Sequence, residues 1–280
     1  MRIHVIDLRD FYSRPIGAVV RRLVGRQIRK LWPNVTGDRL VGLGYATPYL
    51  RQFRDEATAT VGAMPGAQGV VRWPSDGPGS TTLVDEVALP FADASIDRVL
   101  IVHGVETVDA VKSMLREVWR VLVPGGRLII VATNRSGLWA RVDTTPFGHG
   151  RPFSKKQLSL LLREGLFSPA GWSQALFMPP FRLALLIRSA IWWERLGAVF
   201  WPGFSGVVMV EAVKEMYAMV PAKEPGLAAR LRPGLVVTPA NGVTPSKVPC
   251  TNTGSRTALQ IAVLAHLSGG EPRTLRLKVR

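Results

Sequence analysis

The chain has 280 residues, 47% of them hydrophobic, enough to bury a sizeable core in one domain with additions. A single cysteine, Cys250, excludes a disulfide framework and a Cys-rich zinc site, and no metal is expected; a reducing cytoplasm is the expected compartment. The net charge of +16 is uneven, with 19 basic and 14 acidic side chains in residues 1–150 against 17 and 6 in residues 151–280, which favours acidic partners without choosing among them.

The start, MRIHVIDLRD, is polar and mixed in charge and does not read as a signal peptide. Ile16, Val19, Val20, Leu23, Val24, Ile28 and Leu31 follow helical spacing, with Arg22, Arg26, Arg29 and Lys30 on the other face. This amphipathic helix should end near Trp32-Pro33. Its basic face is either a solvated surface or a docking face for an acidic partner. A strand is predicted over Arg39–Leu43, then a glycine turn, a helix over Pro48–Phe53 and a strand over Ala57–Ala63. After a loop rich in Gly and Pro come a short strand at Leu83-Val84 and a buried strand over Ile96–Val102. A helix over Val108–Leu122 leads through Pro124-Gly125-Gly126 into a strand over Arg127–Ala132. Strands alternating with helices predict a mostly parallel sheet covered on both faces.

After the loop that follows Asn134, Ser154 and Gln157 have the spacing of a capping box for a helix over Lys155–Glu164, stopped at Gly165. Phe167–Leu176 and Val207–Val213 read as strands. Between them Phe177–Phe204 is apolar but interrupted by Arg182, Arg188, Glu194 and Arg195, so a buried or lid-forming helix pair is expected rather than a membrane span. Contact with lipid or an apolar substrate is the alternative. Residues 225–280 hold six Pro and six Gly with little periodicity before Ala258, and read as a largely disordered basic tail. A short helix over Thr257–Leu267 is a further option.

Two segments carry a family resemblance. One is Asp85-Glu86-Val87-Ala88-Leu89-Pro90-Phe91 followed by Ala94-Ser95-Ile96-Asp97-Arg98-Val99. The other is Glu117-Val118-Trp119-Arg120-Val121-Leu122-Val123-Pro124-Gly125-Gly126-Arg127-Leu128. At this spacing the chain resembles the class I S-adenosylmethionine-dependent methyltransferases of the small-molecule type, similar to methyltransferase type 11, over roughly residues 36–213. The resemblance implies a Rossmann-like, mostly parallel sheet with helices on both faces and an antiparallel last strand. An N-terminal helix (1–35) would precede this domain (36–221, with 177–204 as an apolar lid or insertion), and a tail (222–280) would follow it.

The cofactor the resemblance implies is S-adenosylmethionine, held beyond the carboxyl ends of the strands. Gly42, Gly44, Tyr45 and Ala46 form the first turn, where Gly44 would admit close backbone approach. Asp85 would accept from the adenine amino group, a donor suited to a carboxylate, with the Glu86 N–H facing the ring. His103 would floor the pocket. The family's first turn usually carries an acid and two further glycines where this chain has Gly42, Ala46 and Pro48. The acid that usually ends the second strand aligns with Met64. Both changes remove hydrogen bonds to the cofactor. Glu117 and Arg120 are expected to form a structural ion pair.

On the acceptor side, the N-terminal helix, the 134–153 loop and the 177–204 segment should meet. Tyr12, Trp139 and Arg151 are substrate candidates, and Phe11, Phe147, Trp192, Trp193 and Trp201 are further aromatics there. His149 is the candidate general base, as its ordinary pKa lies near neutrality. The reaction implied is methyl transfer to a small, partly apolar molecule, which depends mainly on alignment and needs few catalytic side chains. A catalytically inactive binding or regulatory module is the first alternative and a nucleic-acid-binding protein the second. No helix-turn-helix, zinc spacing or aromatic RNA-binding signature supports the latter. Weak contact of the basic helix or tail with anionic surfaces is a further option. Nothing in the sequence indicates an oligomeric state.

Overall fold

A computed structural model describes residues 3–180 and 200–215, with 194, 196 and 197 between them. The expected tail, the 257–267 helix, Trp192 and Trp193 lie outside the described residues. By compactness the chain divides into Met1–Lys223 and Glu224–Arg280.

Seven strands form one sheet: β1 (Arg39–Gly44), β2 (Ala59–Pro65), β3 (Thr81–Val84), β4 (Ile96–Val102), β5 (Leu122–Thr133), β6 (Phe167–Ala175) and β7 (Val207–Lys214). Their order is β3-β2-β1-β4-β5-β7-β6. Strands β1 to β5 pair in parallel. The last strand, β7, inserts antiparallel between β5 and β6, so β6 forms the edge. Strand order reverses between β1 and β4, and the crevice at their carboxyl ends is where an open α/β sheet receives its ligand.

The strands are apolar on both faces because both are covered. Leu100 and Val102 of β4 and Ile129 and Val131 of β5 point to one side. That side is packed by α1 (Val5–Ser13), α2 (Pro15–Leu31) and the short helix α3 (Thr47–Leu50). Val99, Ile101, Leu128 and Ile130 point to the other, under α4 (Val111–Val121) and α5 (Lys155–Glu164). The period of two along each strand thus serves two cores.

The N-terminal region holds two helices where the sequence predicted one. Arg14 is extended and Pro15 takes the first position of α2, where a missing N–H costs nothing. Gly17 permits the sharp turn: a Cβ there would lie 2.1 Å from the Phe11 carbonyl oxygen. The Ser154–Gln157 capping box forms as expected. Among the described residues no helix is long and apolar enough to cross a membrane.

Candidate functional site

The glycine turn after β1 is built as the sequence implied. Gly44 has φ +81°, and a Cβ on it would meet the Val102 carbonyl oxygen at 2.3 Å. Only glycine allows β1 and β4 to close this tightly, with the Tyr45 N–H donating to that same carbonyl. Gly42 has a different reason. A Cβ there would sit 2.7 Å from both Ala46 Cβ and Leu50 Cδ1, so the position faces α3 and has no room for an acid.

The crevice beyond β1, β2 and β4 is filled by the chain itself. Tyr12 reaches in from α1, and its hydroxyl lies 2.9 Å from both Tyr49 Oη and His103 Nε2. Tyr45, Ala46, Met64 and His103 are buried around it. Met64 is fully enclosed, and its sulfur accepts the Val71 N–H at 3.4 Å. The Phe147 ring packs on His103 with centroids 4.9 Å apart, and Phe11 on Tyr12 at 5.2 Å. His103 sits at φ +50°, a region uncommon for a side-chain-bearing residue and frequent at functional sites.

Burial sets the titration of this cluster. His103 is pushed down to about 3 by desolvation, so its imidazole is neutral. Tyr45 is pushed up to about 12 and Tyr12 well above its ordinary value, in both cases mainly because the phenolate would lose its hydration. Glu106 is raised by the same cause. Its Oε1 accepts from the Thr133 N–H and hydroxyl, but its Oε2 and the Gln68 Oε1 are buried without a partner. Gln68, His103, Glu106 and His149 border a space of about 10 Å³, enough for one water.

Other expected site residues take different places. Asp85 follows β3 at the surface; its carboxylate accepts the Val87 N–H at 3.0 Å and shapes the local turn. Glu86 is buried beside it. Trp139 is a core residue rather than an exposed acceptor contact: it is fully enclosed, and its indole N–H donates to the Met178 carbonyl at 2.7 Å. Arg151 is exposed, and its backbone N–H donates to the Glu106 carbonyl. His149 is exposed and, with Asp7, Asp10 and Asp143, borders a cavity of about 160 Å³. A neighbouring groove of about 300 Å³ is lined by Phe11, Arg14, Pro15, Ile16, Thr144, Thr145 and Pro180. Glu117 and Arg120 are structural: the guanidinium bonds Glu117 at 2.8 Å and the Leu89 and Phe91 carbonyls at 2.9 Å. Glu56, near the start of β2, pairs with Arg29 instead of facing the crevice.

Sequence reasoning missed Tyr49, Gln68 and Glu106. Tyr49 was accessible, four residues after Tyr45 in the turn and helix that follow β1. Gln68 and Glu106 lie in loops, where no periodicity marks burial.

The bare turn at Gly44 suits the close approach of S-adenosylmethionine and Asp85 places a carboxylate just after β3, while Tyr12, Tyr49, Met64 and His103 pack the crevice beyond β1, β2 and β4.

Residues 40–130 match the methyltransferase-domain family. The chain is 33% identical over 109 residues to the demethylmenaquinone methyltransferase of Deinococcus radiodurans, covering 38% of this chain and 44% of that protein. It is 47% identical over 74 residues to a ubiquinone/menaquinone biosynthesis C-methyltransferase of Dinoroseobacter shibae, covering 25% and 30%. The matches span less than half the length of these curated relatives. Among solved structures, a possible histamine N-methyltransferase from Thermotoga maritima superposes with TM-score 0.53 at 18% identity, covering 75% of this chain and 96% of that one. A methyltransferase solved in complex with the Haloferax volcanii Trm112 activator gives 0.51 at 18%, covering 74% and 93%. The [4+2]-cyclase SpnF gives 0.50 at 20%, covering 69% and 81%. At these identities the structural likeness speaks for the fold. Sequence match and sheet order agree over the same segment, β1 to β5, so this part of the chain is similar to the methyltransferase-domain family in both sequence and fold.

Proposed function

We propose that the protein transfers a methyl group from S-adenosylmethionine to a small, partly apolar acceptor, in a crevice that opens when α1 withdraws Tyr12. The observation that carries this reading is the family match over residues 40–130, laid on a sheet whose order reverses where the cofactor class binds. The curated relatives named for demethylmenaquinone and ubiquinone/menaquinone support an apolar, quinone-like acceptor. The 300 Å³ groove supports a place for it, since the N-terminal helices, the 134–153 loop and the 177–204 segment contribute Ile16, Thr145 and Pro180 to one wall system. Its volume lies at the lower end of small-ligand sites. His149 and Arg151, both exposed on the adjoining loop, are the polar groups available to orient such a molecule.

One specific observation favours a second reading, a binding or regulatory module without methyl transfer. The crevice is filled, and Gly42 and Met64 stand where the family usually places acids. Fold alone does not decide between the two, because one fold hosts several chemistries and the SpnF neighbour is named a cyclase.

Calorimetric titration with S-adenosylhomocysteine separates the readings. The full chain should bind, and Tyr12→Ala should bind more tightly because the plug is gone. Absence of heat with both proteins sinks the enzyme reading. Binding by both then justifies radiolabelled transfer to a short-chain demethylquinone.

A further inference from the structure

A groove of about 670 Å³ lies between α2 and the 47–53 segment. Its walls carry Arg21, Arg22, Arg26, Arg29, Lys30 and Arg51, and among the described residues no carboxylate lines it. Gly25, Pro48 and the buried Tyr49 border it as well. We infer that this groove is a binding site for a compact ligand with two or three linked phosphates, such as a nucleoside di- or triphosphate.

Three observations carry the inference. First, the cations are available. Arg29 is held by Glu56, yet among the described residues Arg21, Arg22, Arg26, Lys30 and Arg51 make no ion pair, although Asp76 lies close enough to pair with Arg54 at 4.0 Å. Second, the arrangement opposes local stability. Arg22, Arg26 and Lys30 stand four residues apart on one helix face, where like charges repel and cost helix stability. Convergence of such a row with Arg51 from another element is the pattern of an anion site. Third, the shape selects the ligand. Arg21 to Lys30 spans about 13 Å along the helix axis, too long for a single phosphate. The volume is that of a small-molecule pocket. A nucleic-acid strand is disfavoured because the aromatic ring of the lining, Tyr49, is 1% exposed and offers no stacking face.

Gly25 makes the groove testable apart from its charge. The nearest atoms to a Cβ there are Tyr49 Cδ1 at 3.7 Å and the Gln52 amide at 3.9 Å, ordinary van der Waals distances, and Gly25 lines the groove, so a longer side chain would extend into it. Gly25→Met keeps every cation, and methionine is a good helix former.

The probe is inorganic tripolyphosphate, titrated into the full chain at constant ionic strength. Binding at one site per chain is expected. Arg22→Glu with Arg26→Glu, and separately Gly25→Met, should each weaken it by about tenfold or more. Lys155→Glu with Lys156→Glu, two exposed cations on α5, should leave it within about twofold, as remote surface charges are screened. If Gly25→Met melts well below the parent protein, Arg51→Gln replaces it, with the same loss expected. Failure to saturate at millimolar probe, more than one site, full binding by Gly25→Met, or an equal loss in the α5 control overturns the inference. So does an oligothymidylate that displaces tripolyphosphate at a lower concentration of phosphate groups, which would assign the groove to a strand.

Discussion

The hydroxyl of Tyr12 lies 2.9 Å from Nε2 of His103, joining an N-terminal helix to the end of the fourth strand across 91 positions of sequence. Tyr49 completes the group at 2.9 Å from the same hydroxyl. The contact closes the crevice in which the fold class receives its ligand, and it ties the pairing of α1 to the protonation of a buried imidazole.

Tyr12→Phe keeps the ring and removes the hydroxyl. His103 Nε2 and Tyr49 Oη then lose a partner in a dry environment, a loss of about 1–3 kcal/mol. Tyr12→Ala also leaves a cavity, and about 3–5 kcal/mol is expected by analogy with other aromatic truncations. Urea denaturation of the two variants should rank them in that order. Equal midpoints would mean that α1 does not pack as described.

Acid should weaken the fold through His103. Its folded pKa of about 3 lies below the ordinary 6.5, so the unfolded chain binds the extra proton between these values. Stability is therefore complete above pH 6.5 and falls as pH drops toward 3. Glu106 acts with the opposite sign, since burial raises its pKa and favours the folded state as it protonates. Comparing the pH dependence of the denaturation midpoint in the parent and His103→Gln isolates the imidazole. The difference between the two proteins should change between pH 7 and 5, and a constant difference contradicts the burial of a neutral imidazole.

Restoring the family's acid at the first turn should fail. Gly42→Asp places a Cβ 2.7 Å from Ala46 and Leu50 and buries a carboxylate. Overpacking costs about 1–3 kcal/mol, and the uncompensated charge adds to it. The melting temperature should drop sharply without any gain in S-adenosylhomocysteine affinity. A stable variant with improved binding would show that the turn has room after all.

Arg120→Ala should destabilise the turn before β4. The guanidinium satisfies the Leu89 and Phe91 carbonyls and holds the Glu117 carboxyl below its usual range. Because the side chain is one-third exposed, solvent screens part of the effect, and about 1–2 kcal/mol is expected. Glu117 contributes stability above its ordinary pKa and loses it as pH falls through the lowered one. The variant should therefore be less sensitive to acid below pH 4.5 than the parent, as read by denaturation at pH 7 and pH 3.

Local rules made the elements legible. The capping box of Ser154 and Gln157, the apolar runs of β4 and β5, and the basic stripe of α2 each follow from spacing within a few residues. The glycine turn at Gly44 was readable because no other residue takes that backbone so close to Val102. The break between α1 and α2 was overlooked although Arg14-Pro15 signalled it.

What the sequence by itself determined is the alternating α/β order and the likeness of residues 40–130 to a methyltransferase domain, because both rest on short-range periodicity and contiguous motifs. Tertiary structure decided what occupies the crevice and where the cations of α2 and the 47–53 segment converge. Tyr12, Tyr49 and His103 meet from three elements, as do the walls of the basic groove from two. Such meetings depend on how helices dock on a sheet, which no local pattern encodes. The same packing sets Gly42 against α3, since a strand face buried under a helix leaves no space for a charged side chain.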